Sequence, residues 1–361
     1  MKTGPWIIAA TVALAGASLA HQEADAFDRS FGLDTQKGWA DRFHFGSYGE
    51  LHGRVGDDAD NIDMHRLVGM MSVDLSRKLR FVSELEFEHV FYHEEGTDRE
   101  AMQIEIEQAY FEYAIADDLR LNLGIQLVPI GIMNQTHEPT TFYGVERPTV
   151  EKYIAPSTWW ENGIGIIKTS DSGWQFDLLA HTALDMEDSG YIRSGRPKLD
   201  LTDYTEKLGW AVTGRAKYTG IKGVVLASSL QFQNDTSSSV AGDQSAYYAE
   251  THAIYRNGGF ELRALASYWN VDGYANPDTK DQWGYYIEPS YYFNLPVGRL
   301  GAFTRFSQFE YFTTSQKKVD ELTVGINYWP TEEVVIKMDY QVAEKTTSDT
   351  ENWNFGIGYF F

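Results

Sequence analysis

The amino-acid sequence predicts an all-β fold, a 16-stranded antiparallel transmembrane β-barrel. Two patterns indicate it. Apolar and polar residues alternate along sixteen separate runs, and the connectors between these runs are alternately tight and long. Barrels of bacterial outer membranes have an even number of antiparallel strands, short periplasmic turns and longer extracellular loops. A soluble β-sandwich gives no reason for so regular an alternation of loop length, so the barrel is the preferred interpretation.

The runs alternate with the period of two that β-strands impose. The third run places apolar residues on one face and Arg80 and Glu84 on the other. A basic side chain facing lipid at mid-membrane costs about 2–4 kcal/mol, so the charged face is predicted to point into a wet lumen. The alternation fails at residues 107–110 and 288–290, where we expect bulges or register shifts, the second because Pro289 cannot donate to a ladder. The predicted strands are residues 43–55, 64–75, 79–92, 103–115, 119–127, 162–170, 174–184, 208–218, 224–234, 245–256, 260–271, 283–293, 300–312, 321–329, 334–344 and 353–361.

Composition excludes several classes of protein. The chain has 361 residues, no cysteine, a formal net charge of −22 and a mean hydropathy of −0.38. After the N-terminal segment no apolar run approaches the roughly 20 residues that a membrane-spanning helix needs, so a helical membrane bundle is excluded. Without cysteine there is no disulfide framework, and stability must come from packing or from closure of the sheet.

The N-terminus predicts export. Lys2 supplies a positive charge, an apolar segment follows, and Ser18, Leu19 and Ala20 form a small-residue cleavage site. This segment is too short for a single membrane anchor, and acidic residues follow it at once. The predicted division is a signal peptide at 1–20, with cleavage as late as residue 26 as the alternative, a short periplasmic segment at 27–42 and the barrel at 43–361. The mature protein is therefore expected in the bacterial outer membrane.

No catalytic, metal or cofactor site is predicted. The nine histidines show none of the spacings typical of metal ligands. His44 and His52, together with Glu50, are interpreted as solvated polar residues of the lumen. An outer-membrane hydrolase is kept as an alternative of another class, although no motif favours it.

The predicted lumen wall carries charges of both signs. Such a mixed wall indicates that the pore diameter and rings of charge determine which solutes pass. No chemical reaction on the solute is expected. The predicted pore-lining residues are Arg54, Arg66, Arg80, Glu84, Glu86, Glu88, Arg120, Arg215, Lys217, Arg263, Arg305, Lys337 and Asp339.

The excess of negative charge lies mainly in the connectors. We interpret these acids as a solvated surface that divalent cations bridge to lipopolysaccharide, and the alternative is an acidic vestibule that attracts cations. The expected surroundings are outer-membrane lipid and lipopolysaccharide, with no nucleic-acid partner.

One connector differs from the rest. The segment "THEPTTFYGVERPTVEKYIAPSTWWENG", residues 136–163, has three prolines, many aromatics and no alternation. A sixteen-stranded barrel leaves an aqueous channel, and this third long connector is predicted to fold inward and narrow it. The alternative is a loop that caps the rim or contacts a neighbouring subunit. The charged residues predicted at the constriction are His137, Glu138, Glu146, Arg147, Glu151 and Lys152.

A family resemblance agrees with this interpretation. The stretch "LGIQLVPIGIMNQTHEPTTFYGVERPTVEKYIAPSTWWENGIGI", the export signal, the sixteen-strand rhythm and the terminal phenylalanine resemble the phosphate-selective porin O and P family of outer-membrane channels. The resemblance implies homotrimers, passive diffusion of ions and small hydrophilic solutes, and a third loop folded into the pore.

The resemblance does not extend to phosphate. Selective members of the family carry a ladder of arginines with lysines at the constriction. In this chain the arginines are interleaved with inward acids, and the loop has as many acids as bases. A general porin is therefore predicted, with an anion- or phosphate-selective channel that uses lumenal arginines as the alternative.

Overall fold

The structure is a computed structural model that describes residues 39–58, 60–94, 102–186, 192–195, 209–236, 244–272, 280–311, 318–346 and 348–361. A 3₁₀ turn at Trp39–Arg42 precedes the first strand. The predicted signal peptide and most of the predicted periplasmic segment lie outside these ranges. The strands are β1 Phe43–Gly56, β2 Asn61–Asp74, β3 Leu79–Glu94, β4 Gln103–Ala116, β5 Leu119–Leu127, β6 Trp160–Thr169, β7 Trp174–Thr182, β8 Trp210–Tyr218, β9 Val224–Gln233, β10 Ala246–Asn257, β11 Phe260–Val271, β12 Asp281–Asn294, β13 Arg299–Glu310, β14 Val319–Trp329, β15 Val334–Lys345 and β16 Asp349–Phe360.

The strands form one closed barrel. Each pairs antiparallel with its neighbours in sequence, and β1 pairs with β16, for example Glu50 with Gly358. Closure leaves no strand edge without a partner. The predicted fold class is confirmed, and the predicted strands agree with the observed ones to within a few residues.

The two faces of the wall differ as the alternation predicts. Along β7, Phe176 and Leu178 are about half exposed on the outside, whereas Asp177 and Leu179 are buried on the inside. An exposed apolar belt of this kind is the lipid face of an outer-membrane barrel.

Local irregularities agree with the sequence only in part. At Glu107, β4 carries an extra residue, since Glu84 pairs with Gln108 and Leu85 with Ile106. The bulge expected in that region is therefore present. The one expected near Pro289 is not: Ile287 pairs with Phe306 and Ser290 with Phe303, which is a single register. Pro289 lies in the ladder without displacing it.

Residues 128–159, called loop 3 from here on, lie inside the barrel. They include a 3₁₀ turn at Pro139–Thr141 and a five-residue helix, α1, at Thr149–Tyr153. The largest apolar core of the described residues lies between this loop and the inner wall, where Trp159 and Ile154 pack with Trp269. Apolar burial thus draws the loop inward, as its aromatic content predicts.

No helix in the described part of the chain combines the length and the apolar composition needed to cross a membrane.

Candidate pore and its internal loop

Wall side chains hold loop 3 by its backbone. The loop has little secondary structure of its own, so its buried carbonyl groups need partners elsewhere. Seven side chains of the inner wall in the described ranges donate hydrogen bonds to these carbonyls. The pairs are Arg66 to His137 (3.4 Å), Arg263 to Thr141 (2.8 Å), Arg305 to Tyr143 (2.7 Å), Trp269 to Ile154 (2.7 Å), Asn327 to Phe142 (3.1 Å), Trp329 to Thr140 (3.2 Å) and Ser229 to Pro129 (3.1 Å).

Glu151 of α1 ties the loop to itself and to β12. Its Oε2 accepts hydrogen bonds from the backbone N–H groups of Ile132 (2.7 Å) and Met133 (2.6 Å). Its Oε1 accepts one from the Tyr286 hydroxyl at 2.6 Å. The side chain is fully buried, so this carboxyl group fixes the course of the loop.

The loop also reaches the opposite wall. The Nε2 atom of His137 lies 2.7 Å from the Tyr48 hydroxyl of β1 and 3.3 Å from Oε2 of Glu107 on β4. The same Tyr48 hydroxyl donates to Glu84 of β3 at 2.8 Å. Loop 3 therefore contacts both sides of the barrel and crosses the lumen.

Most of the predicted lumen arginines are buried in ion pairs. Five of them lie next to carboxylates on the same or a neighbouring strand, and their side chains are at most 8% exposed. A buried cation needs such a partner because its desolvation is costly. The pairs are Arg66–Glu50 (2.5 Å), Arg80–Asp74 (2.7 Å), Arg215–Asp177 (2.9 Å), Arg263–Glu261 (2.6 Å) and Arg305–Glu288 (2.6 Å).

Other predicted lumen residues differ in exposure. Lys337 is buried with its Nζ 3.5 Å from the centre of the Phe142 ring, and Asp339 accepts a hydrogen bond from the Val145 N–H at 2.6 Å. Glu84 and Glu86 are buried. More solvent reaches the remaining four, which are Arg54, Glu88, Arg120 and Lys217. Whether any of these residues lines a conducting path stays a prediction.

Loop 3 presents only two of its six charged side chains to the lumen. His137, Glu138, Arg147 and Glu151 are buried. Glu146 and Lys152 keep exposed fractions of 25% and 35%, and their charged groups lie 3.7 Å apart.

The two buried residues His137 and Glu138 carry little charge. Burial, together with the positive charge of Arg66, lowers the pKa of His137 to about 3. Burial raises the pKa of Glu138 to about 8. Both side chains are therefore mainly neutral at pH near 7, and neither adds a charge to the lumen.

Glu146 behaves in the opposite way. Burial raises its pKa, but Lys152 and a hydrogen bond from His52 lower it by more, so the pKa is held well below its usual range. The His52 Nδ1 lies 3.2 Å from Oε1 of Glu146, and an Arg54 nitrogen lies 4.0 Å from the same oxygen. Glu146 thus keeps its negative charge at neutral and mildly acidic pH.

The closed barrel, its apolar outer face and its charged inner face with an internal loop together define the class of outer-membrane porins. Comparison with known proteins gives the family. The chain belongs to the phosphate-selective porin O and P family, whose model matches residues 42–354. An uncharacterized protein of Aquifex aeolicus (strain VF5) is 27% identical in an alignment that covers 88% of this chain and 79% of that protein.

Solved structures share the architecture. The outer-membrane channel DcaP of Acinetobacter baumannii has a TM-score of 0.60 at 11% identity, over 88% of this chain and 97% of that one. Salmonella typhi OmpF has a TM-score of 0.59 at 13% identity, over 90% and 99%. An anion-selective porin from Comamonas acidovorans has a TM-score of 0.57 at 12% identity, over 88% and 98%. At these identities the likeness shows the fold alone.

Proposed function

We propose that this porin passes ions and small hydrophilic solutes down their gradients, and that loop 3 sets what passes. The observation that carries the proposal is the course of the loop across the lumen, with Glu146 and Lys152 as its accessible charges. Arg54 and His52 extend this group of charges onto the wall. Family and fold support a passive channel rather than an enzyme.

Charge-removing variants test the role of these two residues. A unit charge about 4 Å from a permeating ion is worth about 1 kcal/mol in water, so removal of one charge should change the cation-to-anion permeability ratio by about fivefold at most. Glu146→Gln should shift the ratio toward anions, and Lys152→Gln should shift it toward cations. The measurement is the reversal potential of single channels in a salt gradient across a planar bilayer.

Lys168→Gln is the matched control, because Lys168 pairs with Asp118 at the exposed end of β6. It should leave the reversal potential unchanged. Since the pKa of Glu146 is held low, the effect of Glu146→Gln should persist in mildly acidic buffer. If the wild type and both loop variants have equal reversal potentials, the charges of loop 3 do not determine ion selectivity.

An anion-selective channel is the second candidate, and the description of the family favours it. The pairing of Arg66, Arg215, Arg263 and Arg305 with carboxylates argues against it, because paired and buried guanidinium groups offer little to a passing phosphate. The same bilayer measurement decides: a strong preference for chloride or phosphate in the wild type would establish the second candidate.

We further propose an exported homotrimer surrounded by lipid and lipopolysaccharide. One of the similar solved structures, OmpT of Vibrio cholerae, is described in a trimer form, with a TM-score of 0.57 at 12% identity. Exposed Asp57 and Asp58 at the loop end of β1 suit bridging by divalent cations to lipopolysaccharide. Native mass spectrometry of the purified protein checks the subunit number, and sequencing of its N-terminus locates the cleavage site.

A further inference from the structure

Two irregularities on neighbouring strands bring two histidines to one aspartate. β2 carries an extra residue at Met64–His65 relative to β1, since Glu50 pairs with Arg66 but His52 with Asp63. β3 carries one at His89–Val90 relative to β2, since Arg66 pairs with Glu88 but Met64 with Phe91. His89 on β3 has φ of 51°, a backbone conformation that only one other non-glycine residue, Thr158, shares within the described ranges.

Regular alternation would point both imidazoles away from the lumen. Arg66 and Glu88 face inward, so an undisturbed strand would direct their neighbours His65 and His89 toward lipid. Bulges re-aim side chains next to functional sites, and a positive φ is uncommon outside glycine. Both distortions act in the same direction here, since each imidazole contacts the inward carboxylate of Asp63.

The three side chains form a compact set of possible ligands. Nδ1 of His65 and Nδ1 of His89 lie 2.9 Å and 3.0 Å from the same Oδ2 atom of Asp63. One ligand atom from each residue lies within 4.8 Å of the other two. The Asp63 side chain is 8% exposed, and the two histidine side chains are 17% and 18% exposed.

The second carboxylate oxygen of Asp63 is the independent sign of a ligand. Oδ1 is buried and has no hydrogen-bond partner among the residues that the structure describes. An unsatisfied buried carboxylate oxygen costs free energy that a bound cation would recover. The cluster is not sealed, because the partly exposed imidazoles leave a path from the lumen.

We propose that Asp63, His65 and His89 bind a divalent transition-metal cation on the lumen wall, near the extracellular end of β2 and β3. Two imidazole nitrogens and one carboxylate oxygen suit Zn²⁺, Cu²⁺ or Ni²⁺, whereas Mg²⁺ and Ca²⁺ take oxygen ligands. Three protein ligands leave a position open to water, as in non-structural zinc sites. No metal site is predicted from the sequence, because the histidines show none of the spacings typical of metal ligands.

The site adjoins the accessible charges of loop 3. The His65 ring stacks on the His52 ring with 4.7 Å between centroids, and His52 contacts Glu146. His52 has both ring nitrogens near carboxylates, Glu50 and Glu146, so it supports the ring of His65 without serving as a fourth ligand.

Titration calorimetry of the detergent-solubilised full chain with Zn²⁺, in excess Mg²⁺ to occupy the acidic loops, tests the proposal. We expect a single strong Zn²⁺ site per chain. Even outer-shell partners of metal ligands contribute about 10–100-fold to affinity, so His65→Gln, His89→Gln and Asp63→Asn should each weaken binding at least about 100-fold. Heat-modifiable migration in electrophoresis verifies that each variant is a folded barrel.

Two variants serve as controls. His44→Gln removes a histidine of the opposite end of β1 that also contacts an aspartate, Asp74. Glu107→Gln removes a ligand of the other group able to hold a metal, Glu84, Glu107 and His137. Both should bind Zn²⁺ as the wild type does.

The proposal is overturned if the wild type has no strong Zn²⁺ site, if the three ligand variants retain it, or if Glu107→Gln alone removes it. Anomalous scattering from zinc-soaked wild-type crystals gives an answer that does not depend on variant folding. A zinc peak between Asp63, His65 and His89 supports the proposal, and a peak only elsewhere contradicts it.

Discussion

Single residues of the inner wall determine how closely loop 3 approaches it. Gly358 of β16 faces inward, and a Cβ placed on it would lie 2.5 Å from the Cβ of Pro139. At Gly356 the added atom would lie 3.1 Å from a methyl group of Val145. Protein interiors are close-packed, so contacts of this kind leave no room for a methyl group. These two glycines thus let the loop lie directly against the backbone of the last strand.

Gly358→Ala should therefore displace loop 3. Overpacking costs about 1–3 kcal/mol, and we expect that loss in the free energy of unfolding by urea, measured in lipid vesicles. Gly69→Ala is the control, because nothing lies within 4 Å of a Cβ added there. It should change the free energy of unfolding by less than about 0.5 kcal/mol, as exposed substitutions usually do. Equal losses for both variants would show that the Gly358 contact contributes nothing.

Among the elements, loop 3 is the one whose position depends most on distant parts of the chain. Its direction could be predicted, because the three prolines and many aromatics of residues 136–163 are atypical of a solvated loop. The exposure of its charges could not be. Glu151 and Glu146 look alike in the sequence, yet Glu151 is buried against Tyr286 and Glu146 remains accessible. That difference depends on Tyr286, a side chain of a strand 135 residues further along the chain.

The strands were more predictable than the loop. The largest difference is at β16, which starts at Asp349, four residues before the predicted start at 353. Its first residues are polar or charged, and they extend the strand by backbone pairing, as between Glu344 and Asp349. Backbone pairing leaves no apolar pattern, so such strand ends are missed. The inward orientation of His65 and His89 could not be predicted either, because a bulge changes the face on which a side chain lies without changing the composition.

Deleting residues 140–154 should raise single-channel conductance and weaken ion selectivity. The deletion removes α1, both accessible charges and the carbonyl acceptors of Arg263 and Arg305. The barrel itself should persist, because the strand ladder does not pass through the loop, and heat-modifiable migration checks this. Replacement by a glycine-serine segment of equal length keeps the number of residues but removes the packing. Unchanged conductance after the deletion would place the constriction outside loop 3.

On the scale of the whole molecule, the barrel combines an apolar exterior with a formal net charge of −22. Most charged residues lie on the inner face, at strand ends and in the connectors, and the outer face keeps large apolar side chains such as Leu178 and Leu230. This division lets one wall separate lipid from charged groups. The barrel closes without a disulfide bond, because the chain has no cysteine.

Leu178→Arg tests the assignment of the outer face. An arginine on the lipid side near mid-membrane costs about 2–4 kcal/mol, and that loss should appear in the free energy of unfolding from lipid vesicles. Gln175→Arg, on the inner face of the same strand beside Asp177, should cost much less. If the two variants lose the same free energy, the outside of β7 does not contact lipid.

The position of loop 3 also bears on the order in which the chain assembles. The turn at Pro139–Thr141 contacts β1, β15 and β16, so a segment from the middle of the chain bridges the seam where its first and last strands meet. A chain that ends before β16 would leave Pro139 and Val145 without the backbone against which they pack. The loop thus favours completed chains, because the part of its apolar surface at Pro139 and Val145 is covered only when the final strand is in place.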